Sequence, residues 1–441
     1  MIGFMGILLS MFAMGMMQLV LATALPYIVN EIGGDSLYSW VFSSYMLSSI
    51  ITIPIFSKLA DIFGKKKFYL LGLCIFAFGT IYGGFAPNMY QLVISRVLQG
   101  LGAGIITPVS LAMISDMFEE SKRGKMIGLF GFVQLLSNIL SPSIGTFITG
   151  QLGWHWIFFV TAIMILLAMA LVSVGIKVLE TSSQIRLSEI DIKGGLLFGS
   201  FCVALVGFSD MLSKHRKFDI ESSLLLIGVV ILILLFVSNE KRHKNPVIKL
   251  EFFKNKIIRR AIFSAIISGA IMYGLITILP LCGIAFMKQG ALINESRILF
   301  FFMLGITVGM LIGGRELVKL NSMKMTRILW IILCFSSSLI LYFLNRGNLM
   351  VLNTLNIIIG ICTGAIMAMF LTNSQNAVNS EDRTVLSGLI QLSRYLGASI
   401  GVIILTSMAP EVKLINNTTQ FLGVFVLLSL LCIAGLVNES I

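Results

Sequence analysis

The sequence predicts an all-α polytopic membrane protein, and three observations predict it. Hydrophobic residues fill 57% of the 441 positions and charged residues 12%, about half the charged share of a soluble domain; mean hydropathy is +0.97. The apolar residues gather into fourteen stretches: 4–29, 38–57, 68–86, 91–115, 126–150, 155–176, 194–211, 222–239, 261–287, 298–314, 328–345, 349–371, 386–408 and 418–437. Each is near the roughly 20 residues that cross a bilayer core as helix. Most of the 32 Lys and Arg fall in the even-numbered connections, which the positive-inside rule places in the cytoplasm together with both termini.

That distribution argues against reading the net charge of +12 as a nucleic-acid footprint. The densest basic run, 241–260 (KRHKNPVIKLEFFKNKIIRR), joins the eighth and ninth stretches. It reads as a topology signal with an amphipathic segment on the anionic cytoplasmic leaflet, so membrane lipids are expected partners.

The elements follow in order. The first stretch starts almost at Met1 with no charged segment ahead of it, and is expected to be a retained helix and not a cleaved signal. It holds Met5, Met11, Met14, Met16 and Met17, which suit a soft, polarizable lining or ordinary packing. Gly33-Gly34 closes it, and the second stretch opens on Trp40 and Tyr45. Connections as short as FAPNMYQ and QLGWHW force neighbouring helices antiparallel. The fifth stretch spaces Gly128, Gly131, Ser137, Ser141, Ser143 and Gly145, small residues that allow close helix contact. A polar loop with Glu180, Arg186, Glu189, Asp191 and Lys193 leads to a hairpin of the seventh and eighth stretches.

The chain thus divides into an N-terminal six-helix bundle (1–177), a linking two-helix hairpin with its flanking loop (178–240), a basic linker (241–260) and a C-terminal six-helix bundle (261–441). The loops after the second and tenth stretches, SKLADIFGKKKFYLLG and GGRELVKLNSMKMTRIL, are both short, basic and glycine-containing, a weak sign of two repeated halves around a central path. The six cysteines lie inside the stretches at no metal-ligand spacing, and the three histidines are scattered. No disulfide framework, metal site, cofactor or catalytic constellation is expected.

The middles of the stretches carry almost no ionisable groups. Arg96 and Arg394 are the clear exceptions, and a charge at bilayer depth costs roughly 2.5–3.5 kcal/mol on insertion scales, which makes each a functional candidate.

Several segments resemble a known family. Ser57 to Lys67 (SKLADIFGKKK) is similar to the loop signature G-x-L-a-D-r-x-G-r-k of the major facilitator superfamily. Asp61, Gly64, Lys65 and Lys66 match it; Ser57 stands for Gly and Ile62 for a basic residue. The resemblance implies a cytoplasmic gate, with Gly64 permitting a tight turn. Arg96-x-x-Gln99-Gly100-x-Gly102-Ala103-Gly104 resembles the fourth-helix motif, whose arginine is implied to couple to the proton. Gly128, Ser137, Ser141, Pro142 and Gly145 resemble the antiporter motif G-x8-G-x3-G-P-x2-G-G. Three of its glycines are replaced by small hydroxyl residues, and Pro142 is expected to kink the helix. Gly153 to Phe158 (GWHWIF) resembles the start of the family's sixth helix. Ser380 to Gly401 resembles the thirteenth-helix region of the fourteen-helix drug:proton antiporters. The resemblance covers nearly the whole chain. It implies a major facilitator fold, two six-helix bundles plus a two-helix insertion, in a multi-pass protein of the cell membrane that expels drugs, including antibiotics.

The departures concern coupling. The family's first helix reads L-D-x-T-I-V-x-x-A-L-P, and this chain keeps the frame but places Met17 where Asp is expected; Gln18 follows it. Ser43 and Ser44 stand where some drug pumps have another acid. The candidates for carrying the proton are therefore Asp35 and Glu31 in the first loop and Glu295 before the tenth stretch, with Arg96 as their coupling partner. Met17, Gln18, Gln99 and Arg394 are the candidates for lining the substrate path, Arg394 either facing it or pairing with a helix-end carbonyl. Two cations and no central acid favour neutral, zwitterionic or anionic cargo.

The expectation is a monomeric secondary exporter of small amphipathic compounds, driven by the proton gradient through alternating access. Alternatives are a dedicated exporter of one metabolite or lipid-linked compound, and a non-transporting sensor or uncoupled facilitator.

Overall fold

The computed structural model describes residues 1–176, 191–215, 219–243, 245–288, 296–319, 322–344, 349–379 and 382–440. Fourteen α-helices fill them: α1 (Ile2–Ile32), α2 (Tyr38–Phe63), α3 (Lys65–Gly84), α4 (Met89–Met117), α5 (Glu120–Leu152), α6 (His155–Gly175), α7 (Ile192–His215), α8 (Ile220–Arg242), α9 (Lys256–Lys288), α10 (Ser296–Lys319), α11 (Ser322–Leu344), α12 (Leu349–Asn376), α13 (Arg383–Ser407) and α14 (Leu422–Ser440). Each of the fourteen apolar stretches is one of these helices. Most run a few residues beyond the stretch, because backbone hydrogen bonding continues through polar residues once a helix is formed. Among the described residues thirteen helices are long and apolar enough to cross a membrane. Only a helix or a closed barrel satisfies its own backbone polar groups in lipid, so the protein is a multi-pass membrane protein built wholly of helices.

Local chemistry sets the ends. Asn88 caps α4 through its side-chain oxygen, which accepts from the Gln91 N–H at 3.0 Å. Asp219 and Ser222 form a reciprocal capping box at the start of α8, satisfying donors that a helix start leaves open. Gly64 ends α2 and immediately precedes α3 with φ +109°, a backbone angle open to glycine and strained for any residue with a Cβ.

Two compact units result: Met1–Phe208 with Phe218–Lys249, and Ser209–Lys217 with Leu250–Ile441. In the first, α1 packs on α5 and α6, α4 on α2 and α3, and α3 on α6. In the second, α9 packs on α13 and α14, α12 on α10 and α11, and α11 on α14. The pairing scheme is the same in both, so the repeat that two loops hint at extends through the helices. Most of the α7–α8 hairpin, as far as Phe208 on α7 and all of α8, belongs to the first unit, where α7 lays Gly195 and Gly199 against Ile55 and Ile51 of α2.

Candidate functional site

The fourth-helix motif is a helix-packing device with a charge inside it. A Cβ at Gly100 would strike Ser48 Oγ and the Tyr45 carbonyl of α2, one at Gly104 would meet Thr52 and Ser49, and one at Gly102 would meet Gly72 and Phe76 of α3. Ser49 Oγ donates to the Gly100 carbonyl at 3.0 Å. This close approach seals in Arg96, whose relative exposure is 0%. Its Nε donates to the Val41 carbonyl at 3.0 Å and Nη1 donates to Gln99 Oε1. The guanidinium carbon lies 4.3 Å from the centroid of the Tyr45 ring, within cation–π range. Gln99, also fully buried, passes the chain on, its Nε2 donating to Thr80 Oγ1 of α3 at 3.0 Å. Arg96 Nη2 has no hydrogen-bond partner, and among the described residues no carboxylate pairs with this cation. A buried charge held by neutral groups, with a donor left over, can take an anionic or carbonyl-bearing partner.

The basic turn between α2 and α3 fastens three helices. Lys65 Nζ pairs with Asp116 Oδ2, at the end of α4, at 2.6 Å. Lys66 Nζ donates to the carbonyls of Ser173, at 2.7 Å, and Ile176, both at the end of α6, where unpaired carbonyls favour a cation. The Asp61 side chain lies outside the described residues.

In the fifth-helix motif, Ser137 Oγ donates to the Phe12 carbonyl of α1 at 3.0 Å, Ser141 Oγ donates to the Ser137 carbonyl, and a Cβ at Gly145 would strike Thr23 and Val20 of α1. Gly15 of α1 faces Ser137 and Gln134 in return. Close contact is thus confined to the α1-facing part of the motif. Gly128 and Gly131 correct the sequence expectation: a Cβ at either meets nothing within 4 Å, so neither position brings two helices close. Pro142 sits inside an α5 that runs unbroken from Glu120 to Leu152. Met17 is fully buried, with Met11, Met14 and Met16 nearly so, whereas Met5 is exposed; Gln18 is half-buried.

Glu31 and Asp35 are the proton candidates among the described residues. Glu31 is exposed, and its Oε2 accepts from the Trp154 indole Nε1 at 2.9 Å, bracing the end of α1 against the start of α6. Asp35 begins a short 3₁₀ turn, Asp35–Leu37, that leads into α2, and is half-buried. Gly33 and Gly34 form the expected turn with φ +71° and +87°. Glu295 lies outside the described residues.

In the second unit, Arg394 on α13 is half-buried and sits beside a tight glycine seam. A Cβ at Gly269 or Gly274 of α9 would strike Arg394 or Leu405, and one at Gly397 or Gly401 of α13 would strike Ile266 or Ala270. Arg394 Nη2 donates to Gln391 Oε1 one turn earlier. Among the described residues, the hydrogen-bond partner of Arg394 is this neutral amide on its own helix. Its Nε has no hydrogen-bond partner, and Tyr395, 6.0 Å away, stands edge-on to Tyr273 of α9. Arg394 thus repeats the Arg96 arrangement of guanidinium, Gln three residues away, nearby Tyr and, among the described residues, no paired acid. Elsewhere in this unit a cavity of about 250 Å³ is lined by Arg260, Thr326, Asn373, Asn376 and Glu439 among others.

Sequence reasoning named the two arginines and Gln99 but missed Tyr45 and Thr80 as their partners. The signal for Tyr45 was its place opposite the motif on the neighbouring helix; Thr80 carried none.

Known proteins bear on this arrangement. Residues 7–402 match the family model described as Major Facilitator Superfamily. Multidrug resistance protein 3 of Bacillus subtilis (strain 168) is 29% identical over 92% of this chain and 79% of its own length. Multidrug transporter protein MdtP of the same organism is 27% identical over 91% and 73%. Among solved structures, the peptide transporter POT in complex with sulfate superposes with a TM-score of 0.70 at 16% identity, over 98% of this chain and 94% of that one, which is a likeness of fold. A match over most of the length, together with twelve of the fourteen helices paired alike in two units, makes this chain a member of the Major Facilitator Superfamily, a transporter and not an enzyme.

Proposed function

We propose that the protein exports small amphipathic compounds from the cell across the plasma membrane by exchange for protons, through alternating access. Relatives named for multidrug resistance and multidrug transport support efflux. The observation that carries the reading of the cargo is the Arg96 guanidinium: fully buried, held by Val41, Gln99 and Tyr45, with Nη2 unpartnered. A cation in that setting repels a second cation and favours neutral, zwitterionic or anionic cargo. The driving force is adequate. One charge crossing 100 mV releases about 2.3 kcal/mol, enough at about 1.4 kcal/mol per tenfold for roughly a fifty-fold gradient of neutral cargo.

The test is reconstitution into vesicles with a pH dye inside, adding anionic, neutral and cationic amphiphiles in turn. Proton flux triggered by neutral or anionic compounds, with their accumulation against a gradient, is the expected result. Transport that only runs downhill would replace exchange by an uncoupled facilitator. Flux with cations alone would overturn the cargo assignment.

A further inference from the structure

The base of the α7–α8 hairpin holds two carboxyl groups that face each other out of water. Asp191, just before α7, is 3% exposed and Glu240, near the end of α8, is 4% exposed. They are 49 residues apart in sequence, and both oxygens converge over the bare backbone of Gly194: a Cβ there would strike Asp191 Oδ2 and Glu240 Oε1 alike. Every other carboxyl contact is spoken for. Asp191 Oδ1 accepts from the Gly194 N–H at 2.7 Å, and the Asn239 amide donates to Oδ1 at 2.9 Å and Oδ2 at 2.8 Å. Glu240 Oε2 accepts from the Ile248 N–H at 2.8 Å. Glu240 Oε1 is buried with no hydrogen-bond partner.

That orphan atom points to the missing ligand. Two ionised carboxylates in contact and out of water repel each other, and a buried acceptor without a donor costs about 1–3 kcal/mol. One proton removes both penalties, since a carboxylic O–H on Glu240 Oε1 can donate to Asp191 Oδ2. Among the described residues, the other titratable groups that face the pair are Lys58 of α2, within electrostatic reach of both carboxyls, and His243 at the end of α8, which acts on Asp191. Lys58 Nζ itself donates to the Asn245 carbonyl at 3.1 Å. Lys193, Lys241 and Arg242 next to them in sequence are exposed.

We propose that Asp191 and Glu240 form a proton-binding site, in which one proton bridges Glu240 Oε1 and Asp191 Oδ2 at neutral pH and its release to water drives the end of α8 away from the start of α7. With the proton bound, a single carboxylate charge remains and faces Lys58. Without it, a second negative charge appears in the same pocket, and the contacts that Glu240 and Lys58 make with the 245–248 segment are the ones that loosen. The site lies outside every motif that the family resemblance supplies, and it does not depend on what the protein transports.

Infrared spectroscopy of the purified full-length protein tests this without a transport assay. Wild type is expected to show a protonated-carboxyl C=O component at neutral pH that disappears as pH rises, and the difference spectrum against Glu240→Gln over that pH range is expected to assign it to Glu240. The Gln amide can donate to Asp191 while its oxygen keeps the Ile248 contact, so this variant mimics the protonated state and is expected to fold. Its thermal midpoint should stay flat over the pH range in which that of wild type falls. Absence of a titrating band in wild type, the same band in Glu240→Gln, or equal pH slopes of the two midpoints would each overturn the proposal.

Discussion

The guanidinium carbon of Arg96 lies 4.3 Å from the centroid of the Tyr45 ring, across the α2–α4 seam that Gly100 and Gly104 keep narrow. Lys at position 96 would keep the charge but lose the planar stack, the Nε bond to Val41 and the Nη1 bond to Gln99. Arg and Lys are not equivalent in such a setting, and each hydrogen bond to a charged group is worth about 1.5–3 kcal/mol. Arg96→Lys is therefore expected to lower transport in vesicles by about tenfold or more. Tyr45→Phe, which keeps the ring face, should lower it far less. Equal losses in the two variants would remove the stacked cation from the mechanism.

The same seam separates two glycines that look alike in sequence. Gly100→Ala puts a methyl group into Ser48 Oγ and the Tyr45 backbone, and overpacking of this kind costs about 1–3 kcal/mol. Gly128→Ala adds its methyl to open space, and Ala is favoured over Gly within a helix by up to about 1 kcal/mol. Thermal unfolding of the purified protein should show a lowered midpoint for Gly100→Ala and an unchanged or raised one for Gly128→Ala. A comparable fall in both would mean that the fifth-helix glycine has a neighbour after all.

These two positions show what was legible in the sequence. Fourteen helices could be read directly, because each needs about 20 apolar residues in a row and that pattern is local. Arg96 could be read for the same reason, as a charge interrupting an apolar run. Whether a small residue touches anything is not local: Gly145 meets Thr23 and Val20 while Gly128 meets nothing, and both stand in one motif on one helix. The acids were harder still. A search for a carboxylate at a span centre or in an outer loop passes over Asp191 and Glu240, since neither is central and only the folded hairpin puts them together. Glu31, which that search does select, is occupied by an indole 123 positions away.

The Glu31–Trp154 contact bears directly on coupling. If Glu31 serves as a brace between α1 and α6, its charge is dispensable but its acceptor oxygen is not. Under the proposed proton exchange, Glu31→Gln should leave cargo-driven proton flux at the wild-type level, because the amide oxygen still accepts from the indole. Glu31→Ala and Trp154→Phe should each lower the unfolding midpoint by an amount equivalent to about 1 kcal/mol without abolishing flux. Loss of flux in Glu31→Gln at unchanged stability would return Glu31 to the proton path.

Asp191 supplies a pH dependence whose sign can be worked out. Burial alone would raise its carboxyl, but the Asn239 amide and the Gly194 N–H, helped by His243, hold it below the ordinary Asp value. A carboxyl held low in the folded state adds stability above its unfolded value of about 3.9, and that contribution disappears as pH falls through the folded value. Asn239→Leu removes the amide that donates to both Asp191 oxygens at little change in volume. The variant should be less stable than wild type at neutral pH, and the two should converge as the medium is acidified below the normal Asp range. The convergence also separates the roles of the two acids at the hairpin base, because it is the ionised Asp191 that Asn239 holds, leaving the shared proton to Glu240. A gap between the two proteins that stays constant down to that acidity would mean that Asn239 acts by packing alone, with no preference for the ionised form of Asp191.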